Sequence, residues 1–295
     1  INQKGMTADL LKESGFAANG YGDHSPGGYA LIAGLVSAGA FAVMRRFDVG
    51  RVASVLIALL PVIAPIVGLE ALNALGSTYM LLLYLATLIV AFPSRGLYAR
   101  WPTLILVGLL LLLTALTIPL AGVLLLIIGV QALRRVIAWR ASVIWIGAIV
   151  LGLFAQAVTA SGAAKPREIL IGADTVKSWV SAVPDSILTF WPGMHIGDFT
   201  LFDVFPITAV SITGTLVIAA IGVVGLVACI RGGDRRVGIA ALLLSGLAYG
   251  FVPSVIGWAN NRYFVVPCLL WAAALLVVLD PWIRRARIWV LGLIA

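Results

Sequence analysis

A few ionisable residues stand apart from the arginine-rich loops of this sequence and are its candidates for chemistry. Glu70 is the one carboxylate in "PVIAPIVGLEALNALGSTYM" (61–80), between two long apolar runs, and Asn73 follows it by about one helical turn. A carboxylate at the mouth of a membrane cavity can take up a proton or hold a sugar or a cation. The alternative is that Glu70 caps the next helix, whose dipole favours an acid there by a few tenths to about 1 kcal/mol.

Arg262 is the second candidate, because it opens an apolar run in "GWANNRYFVVP" and Asn261 directly precedes it. A guanidinium group can hold a phosphate through two parallel hydrogen bonds. The alternative is that Arg262 extends to the headgroups of ordinary lipids.

Adjacent acidic and imidazole side chains form the third candidate. Asp23 and His24 in "YGDHSPGGY" offer a general base or a weak cation site, and His195 and Asp198 in "GMHIGDF" form a similar pair. For both pairs the alternative is an ordinary polar loop. No spacing of cysteine and histidine indicates a metal site.

The composition indicates the kind of fold that holds these side chains. Of 295 residues, 62% are hydrophobic and 11% are charged, whereas a soluble domain carries about 25% charged residues. Several uncharged runs have the length of a membrane-spanning helix, about 20 residues. We therefore expect an all-α polytopic integral membrane protein, with the lipid bilayer as its partner. The net charge of +8 does not indicate nucleic acid, because the arginines cluster in short loops between apolar runs.

These basic loops predict the topology. Under the positive-inside rule they all face the cytoplasm; they are "RRFDVGR" (45–51), "PSRGLYARWP" (93–102), "QALRRVIAWR" (131–140), "RGGDRR" (231–236) and "DPWIRRAR" (280–287). The apolar runs between and beside them are 29–44, 52–68, 71–92, 103–130, 141–160, 207–230, 237–256, 263–279 and 288–295. The division of the chain is then an outer-face segment (1–28), membrane helices (29–160), an extracytoplasmic loop (161–206) and further membrane helices (207–295).

The run 103–130 lies between two basic loops, and a single crossing would put these loops on opposite faces, whereas two crossings keep both in the cytoplasm. We expect a short helical hairpin that turns near Pro119, which gives about nine or ten membrane segments in total. Part of the loop 161–206 is expected to form a helix at the outer surface, interrupted by Pro184 and Pro192, with the aromatic ring of Trp179 in the headgroup layer. The plain alternative is a simple connector. The chain is also expected to be a fragment, because it begins with Ile1 and "RIWVLGLIA" at its end resembles half of a span.

Three stretches of the chain resemble a known group of proteins. They are "PVIAPIVGLEALNALGSTYMLLLYLATLIVAFPSR", "LLLLLTALTIPLAGVLLLIIGVQALRR" and "NNRYFVVPCLLWAAALLVVLD". Their Gly-x-Glu turn, proline hairpin and Arg-Tyr-Phe-x-x-Pro span resemble those of polytopic proteins of high-GC Gram-positive bacteria with a GT-C-like membrane fold.

The resemblance implies a glycosyltransferase of the cell envelope in the bacterial plasma membrane. Such enzymes transfer a sugar from a polyprenyl-phosphate carrier at the outer face, and some use a divalent cation. It implies catalytic roles for Glu70 and Asp23, and substrate binding by Arg262, Asn73, Asn261 and His24. The chain has "GYALIAGLVS" where the family carries a segment with His and Arg, so whether it is an enzyme stays open. The alternatives are a transporter or flippase, or a non-catalytic membrane subunit.

Overall fold

The structure is a computed structural model that describes residues 26–63, 75–93, 100–163, 172–190, 207–255 and 264–294. Every regular element in these residues is a helix. The elements are α1 (Pro26–Arg46), α2 (Arg51–Ile63), α3 (Leu75–Ala91), α4 (Trp101–Thr117), a 3-10 turn (Pro119–Gly122), α5 (Val123–Leu133), α6 (Trp139–Ala163), α7 (Ala173–Phe190), α8 (Ile207–Ile230), α9 (Asp234–Val255) and α10 (Val265–Ile294).

Several of these helices are built to cross a membrane. Four stretches are long and apolar enough to do so: Trp139–Thr159, Ala209–Ile230, Asp234–Val252 and Val265–Ala286. The helices α2 to α5 are shorter but also apolar. Large aliphatic side chains point away from the bundle, and Leu133, Ile230 and Leu126 are 85%, 75% and 72% exposed. Lipid tolerates such a surface and water does not. The expected all-α polytopic membrane protein is therefore confirmed.

The helix ends that border the basic segments meet at one end of the bundle. The Asp280 carboxylate, midway along α10, accepts hydrogen bonds from the Gly50 amide before α2 and from Arg235 in the first turn of α9. The Phe47 ring after α1 contacts the Phe92 ring after α3 at a centroid distance of 4.9 Å. We call this the basic end and the opposite one the far end.

The helical hairpin turns at Pro119, as expected. Gly108 of α4 lies beside Ile144 of α6, since a Cβ atom there would be 3.3 Å from it. Further along both helices, Ala115 of α4 lies beside Gly152 of α6, where a Cβ atom would be 2.7 Å away. Because the contacts advance along both helices together, α4 and α6 run in the same direction. The helix α5 must therefore return between them. It ends at the basic end, where the Gln131 Nε2 donates to the Ala91 carbonyl of α3 at 3.2 Å.

The last two predicted membrane runs form a single helix, which corrects the expectation of a loop at 280–287. The helix α10 continues through Pro281 to Ile294. A proline inside a helix frees the carbonyl four residues earlier, and inside a membrane that carbonyl needs another donor. Here the freed carbonyl of Val277 accepts a hydrogen bond of 2.6 Å from the Arg235 Nη2.

The same compensation occurs at a second proline. Pro61 lies inside α2, and the carbonyl that it frees belongs to Ile57. The hydroxyl of the fully buried Tyr84 on α3 donates to this carbonyl at 3.1 Å. A side chain on a neighbouring helix thus replaces the missing backbone donor in each case.

Pro184 does not interrupt the helix in the predicted outer loop, because α7 runs through it from Ala173 to Phe190. The carbonyl freed by Pro184 belongs to Val180, and it lies against Gly214 of α8, where a Cβ atom would collide with it. The absence of a side chain at Gly214 is what allows this close approach. Pro192 lies outside the described residues.

Candidate functional site

The predicted site residues lie outside the described residues. This holds for Glu70, Asp23, Arg262, Asn73, Asn261 and His24, and also for His195 and Asp198. Their catalytic and substrate-binding roles therefore stay predictions.

The described helices nevertheless show where the segments that carry these residues are attached. Because α1 and α3 finish at the basic end, they start at the far end, and α2 runs from the basic end to the far end. The segments with Asp23 and with Glu70 are thus attached at the far end. The segment with Arg262 connects the far ends of α9 and α10, since the Arg235–Asp280 contact joins the start of α9 to the middle of α10 at the basic end.

These helices pack directly against one another. The pairs α1–α2, α1–α3, α2–α10 and α9–α10 are all in contact. The three segments, which lie up to 239 residues apart in the sequence, are therefore attached to one continuous group of helices at the same end.

The helix α7 packs across α8, α9 and α10 toward the far end. The Trp179 ring contacts the Phe251 ring of α9 edge-to-face, with centroids 5.1 Å apart. The Trp179 Nε1 is buried and has no hydrogen-bond partner within the described part of the chain. The indole N–H is therefore enclosed by the bundle, and the position of the ring in the headgroup layer stays a prediction.

At the basic end, Asp280 is the centre of an ionic cluster. Its side chain is 1% exposed, and its carboxylate accepts from the Gly50 amide at 2.8 Å, the Arg235 Nη2 at 3.0 Å and the Arg284 Nε at 3.1 Å. Arg284 also donates to the carbonyl of Asp48. The cluster joins the α1–α2 turn to α9 and α10.

This cluster is suited to holding the bundle together rather than to chemistry. A carboxylate whose two oxygens already accept from an amide and two guanidinium groups has little capacity left for a metal or for a reacting proton. Sequence reasoning missed Asp280 because it stands in a basic segment. The one local signal was an acid directly before Pro281 at the end of an apolar run.

No cation site is formed by the residues that the structure describes, since they bring together no group of three His, Cys, Asp or Glu side chains. A divalent cation stays a prediction tied to the far-end segments.

A cavity of about 190 Å³ lies between α5, α8 and α9. Its lining is almost wholly apolar, and Gln131, Ser245 and Cys229 are the polar or sulfur-bearing contributors. Leu126 and Leu244 line the cavity and are also exposed on the outside of the bundle, so the cavity opens sideways toward lipid.

Comparison of the chain with models of protein families, with characterised proteins and with solved structures finds no match.

Proposed function

We propose that this membrane protein transfers a sugar from a polyprenyl-phosphate carrier to an acceptor at the far end of the bundle. In this proposal it is a GT-C-like glycosyltransferase of a bacterial plasma membrane, and the far end faces outward. The observation that supports it is the attachment of three candidate-bearing segments to one group of packed helices at that end.

The candidate residues supply complementary chemistry. A polyprenyl-phosphate leaving group develops negative charge, which the Arg262 guanidinium stabilises. Glu70 or Asp23 accepts the proton of the acceptor hydroxyl. Asn73, Asn261 and His24 donate hydrogen bonds to the sugar or the phosphate.

A transporter or flippase is the second candidate, and the broken hairpin at Ile118–Gly122 is the feature that favours it. Coupled transporters carry ionisable residues near the membrane midplane. In the described membrane helices, however, the charged side chains lie in or directly beside the basic segments, and this includes Asp280 and Arg284 within α10. Sugar transfer therefore fits this part of the chain better than ion-coupled transport.

The test measures sugar transfer and lipid translocation side by side. Membranes that contain the full-length protein are supplied with a panel of radiolabelled polyprenyl-phosphate monosaccharides and with lipid and glycan acceptors. We expect transfer by the wild type and a loss of roughly a hundredfold or more in Glu70→Gln and Arg262→Gln. Arg140→Gln, an exposed arginine at the basic end, is the matched control and should keep full activity.

Two results would overturn the proposal. One is the absence of transfer with every donor by a protein that is correctly folded. The other is movement of labelled lipid between leaflets without bond formation, which would establish the flippase alternative.

A further inference from the structure

The side cavity between α5, α8 and α9 belongs to neither the basic ionic cluster nor the far-end segments. Along α9 its lining runs from Val237, one turn after the start of the helix, to Ala248. Along α5 it runs from Val123 to Gln131, near the end of that helix. The cavity therefore begins at the basic end and extends toward the middle of the membrane.

Its length matches one leaflet. Eleven helical steps from Val237 to Ala248 correspond to about 16 Å, and half of a hydrocarbon core of about 30 Å is about 15 Å. An opening of this kind faces hydrocarbon, where water has almost no partners and an empty groove forfeits dispersion contacts. One acyl chain of a lipid in the basic-end leaflet fits these dimensions.

The charges at the entrance select the headgroup. Arg134 lies one turn beyond the lining residues Val130 and Gln131, and its Nη2 is 3.7 Å from the Asp234 carboxylate. Three further arginines at the adjoining helix ends are exposed; they are Arg135, Arg231 and Arg236. A single acid against four arginines leaves a net positive entrance, which complements a phosphate with no balancing cation.

We propose that this cavity binds one acyl chain of an anionic phospholipid from the basic-end leaflet, with the lipid phosphate beside Arg134 and its neighbouring arginines. The site goes beyond the sugar-transfer proposal and does not depend on it. The lipid adds contacts between α9 and the hairpin arm α5, which with 11 residues is the shortest of the described α-helices.

Native mass spectrometry of the full-length protein tests this. The protein is released from nanodiscs that contain equal amounts of phosphatidylglycerol and phosphatidylcholine, and the retained lipids are counted. We expect one phosphatidylglycerol per wild-type protein, and retention that is roughly fivefold or more weaker in Arg134→Gln but not in Arg134→Lys. Arg140→Gln, outside the entrance, should retain the lipid.

A second variant tests the cavity independently of charge. Ala241 lines the cavity and is partly buried, so Ala241→Phe fills the groove and should abolish retention. Ala220→Phe places the same side chain on the exposed lipid-facing surface of α8 and is the matched control. Both variants should show the wild-type helical content by circular dichroism.

Three outcomes would overturn the inference. Retention unchanged in Ala241→Phe would mean that the lipid binds elsewhere. Equal retention of phosphatidylcholine, with no effect of Arg134→Gln, would remove the anionic selectivity. A dimer that Ala241→Phe disrupts, or a retained polyprenyl phosphate, would show that a second copy or the donor lipid occupies the groove.

Discussion

Each end of the helix bundle contains a backbone carbonyl that a proline has freed from its helical hydrogen bond, and the two carbonyls have different partners. At the basic end the carbonyl freed by Pro281 accepts a charged donor from Arg235, which also contacts the buried Asp280. Toward the far end the carbonyl freed by Pro184 lies against Gly214, which offers only Cα–H groups. Such contacts are worth about 0.5–1 kcal/mol each, less than a charge-assisted hydrogen bond.

The ion pairs and the packing contacts thus hold opposite ends of the bundle. Within the described residues the ion pairs lie at the basic end, where they join the α1–α2 turn, α5, α9 and α10. The helix α7 is held at the far end by aromatic and backbone packing instead. A more weakly held end suits the face at which a substrate would enter, since binding elements are drawn from the less stable parts of a protein.

The largest effect is expected at the ionic cluster. Replacing Asp280 with Ala leaves two guanidinium groups and the Gly50 amide without their shared acceptor, and should lower the free energy of unfolding by about 3–5 kcal/mol. Unfolding in detergent micelles, followed by circular dichroism, measures the loss. Asp48→Asn is the control, because the Asp48 side chain is 96% exposed, its pair with Arg284 is 3.9 Å long, and Asn tolerates the positive φ of 58° at this position. Similar losses in both variants would mean that the cluster does not anchor the bundle.

The second-largest loss of stability is expected for a substitution at Gly214, toward the far end. A methyl group there collides with the Val180 carbonyl, so Gly214→Ala should lower the free energy of unfolding by about 1–3 kcal/mol. Hydrogen exchange should also rise in α7 while the basic end stays protected. Gly222→Ala on the same helix is the matched control, since its nearest neighbour would be the Leu247 Cδ1 at 3.9 Å. If protection of α7 is unchanged, α7 is not held through Gly214.

The sequence was sufficient for the elements that local composition and charge determine. The apolar run at 207–230 has the bounds of α8, and the basic segments on either side of 103–130 required the hairpin at Pro119. The helices through Pro184 and Pro281 could not be foreseen, because their continuation depends on Gly214 and Arg235, which are distant in sequence.

For the candidate site, the sequence predicts the membrane face on which the residues lie but not their arrangement. The basic loops determine which helix ends are shared, so they assign Glu70 and Arg262 to one end. The distances between such groups depend on tertiary packing, which a single sequence does not show. The position of Asp280 illustrates this, since only the folded bundle brings it to Gly50, 230 residues earlier.

Removal of one hydrogen bond in the interior should lower the free energy of unfolding by less than the substitutions at either end. Tyr84→Phe removes the hydroxyl donor to the carbonyl freed by Pro61 and should cost about 0.5–1.5 kcal/mol. In a Pro61→Ala background that carbonyl regains a backbone donor, so the cost of Tyr84→Phe should largely disappear. Unfolding of the wild type, both single variants and the double variant completes the cycle. Additive losses would contradict the compensation.

The smallest effect is expected at Trp179, where packing and hydrogen bonding can be separated. Trp179→Phe keeps an aromatic ring against Phe251 and removes an indole N–H that is buried without a partner in the described residues. The lost ring area and the removed unsatisfied donor oppose each other, so the free energy of unfolding should change by less than about 1 kcal/mol. Trp179→Ala loses the ring contact as well and should cost clearly more. If Trp179→Phe destabilises the protein as much as Trp179→Ala does, the N–H has a partner in the folded protein, and the far end is held by more than packing.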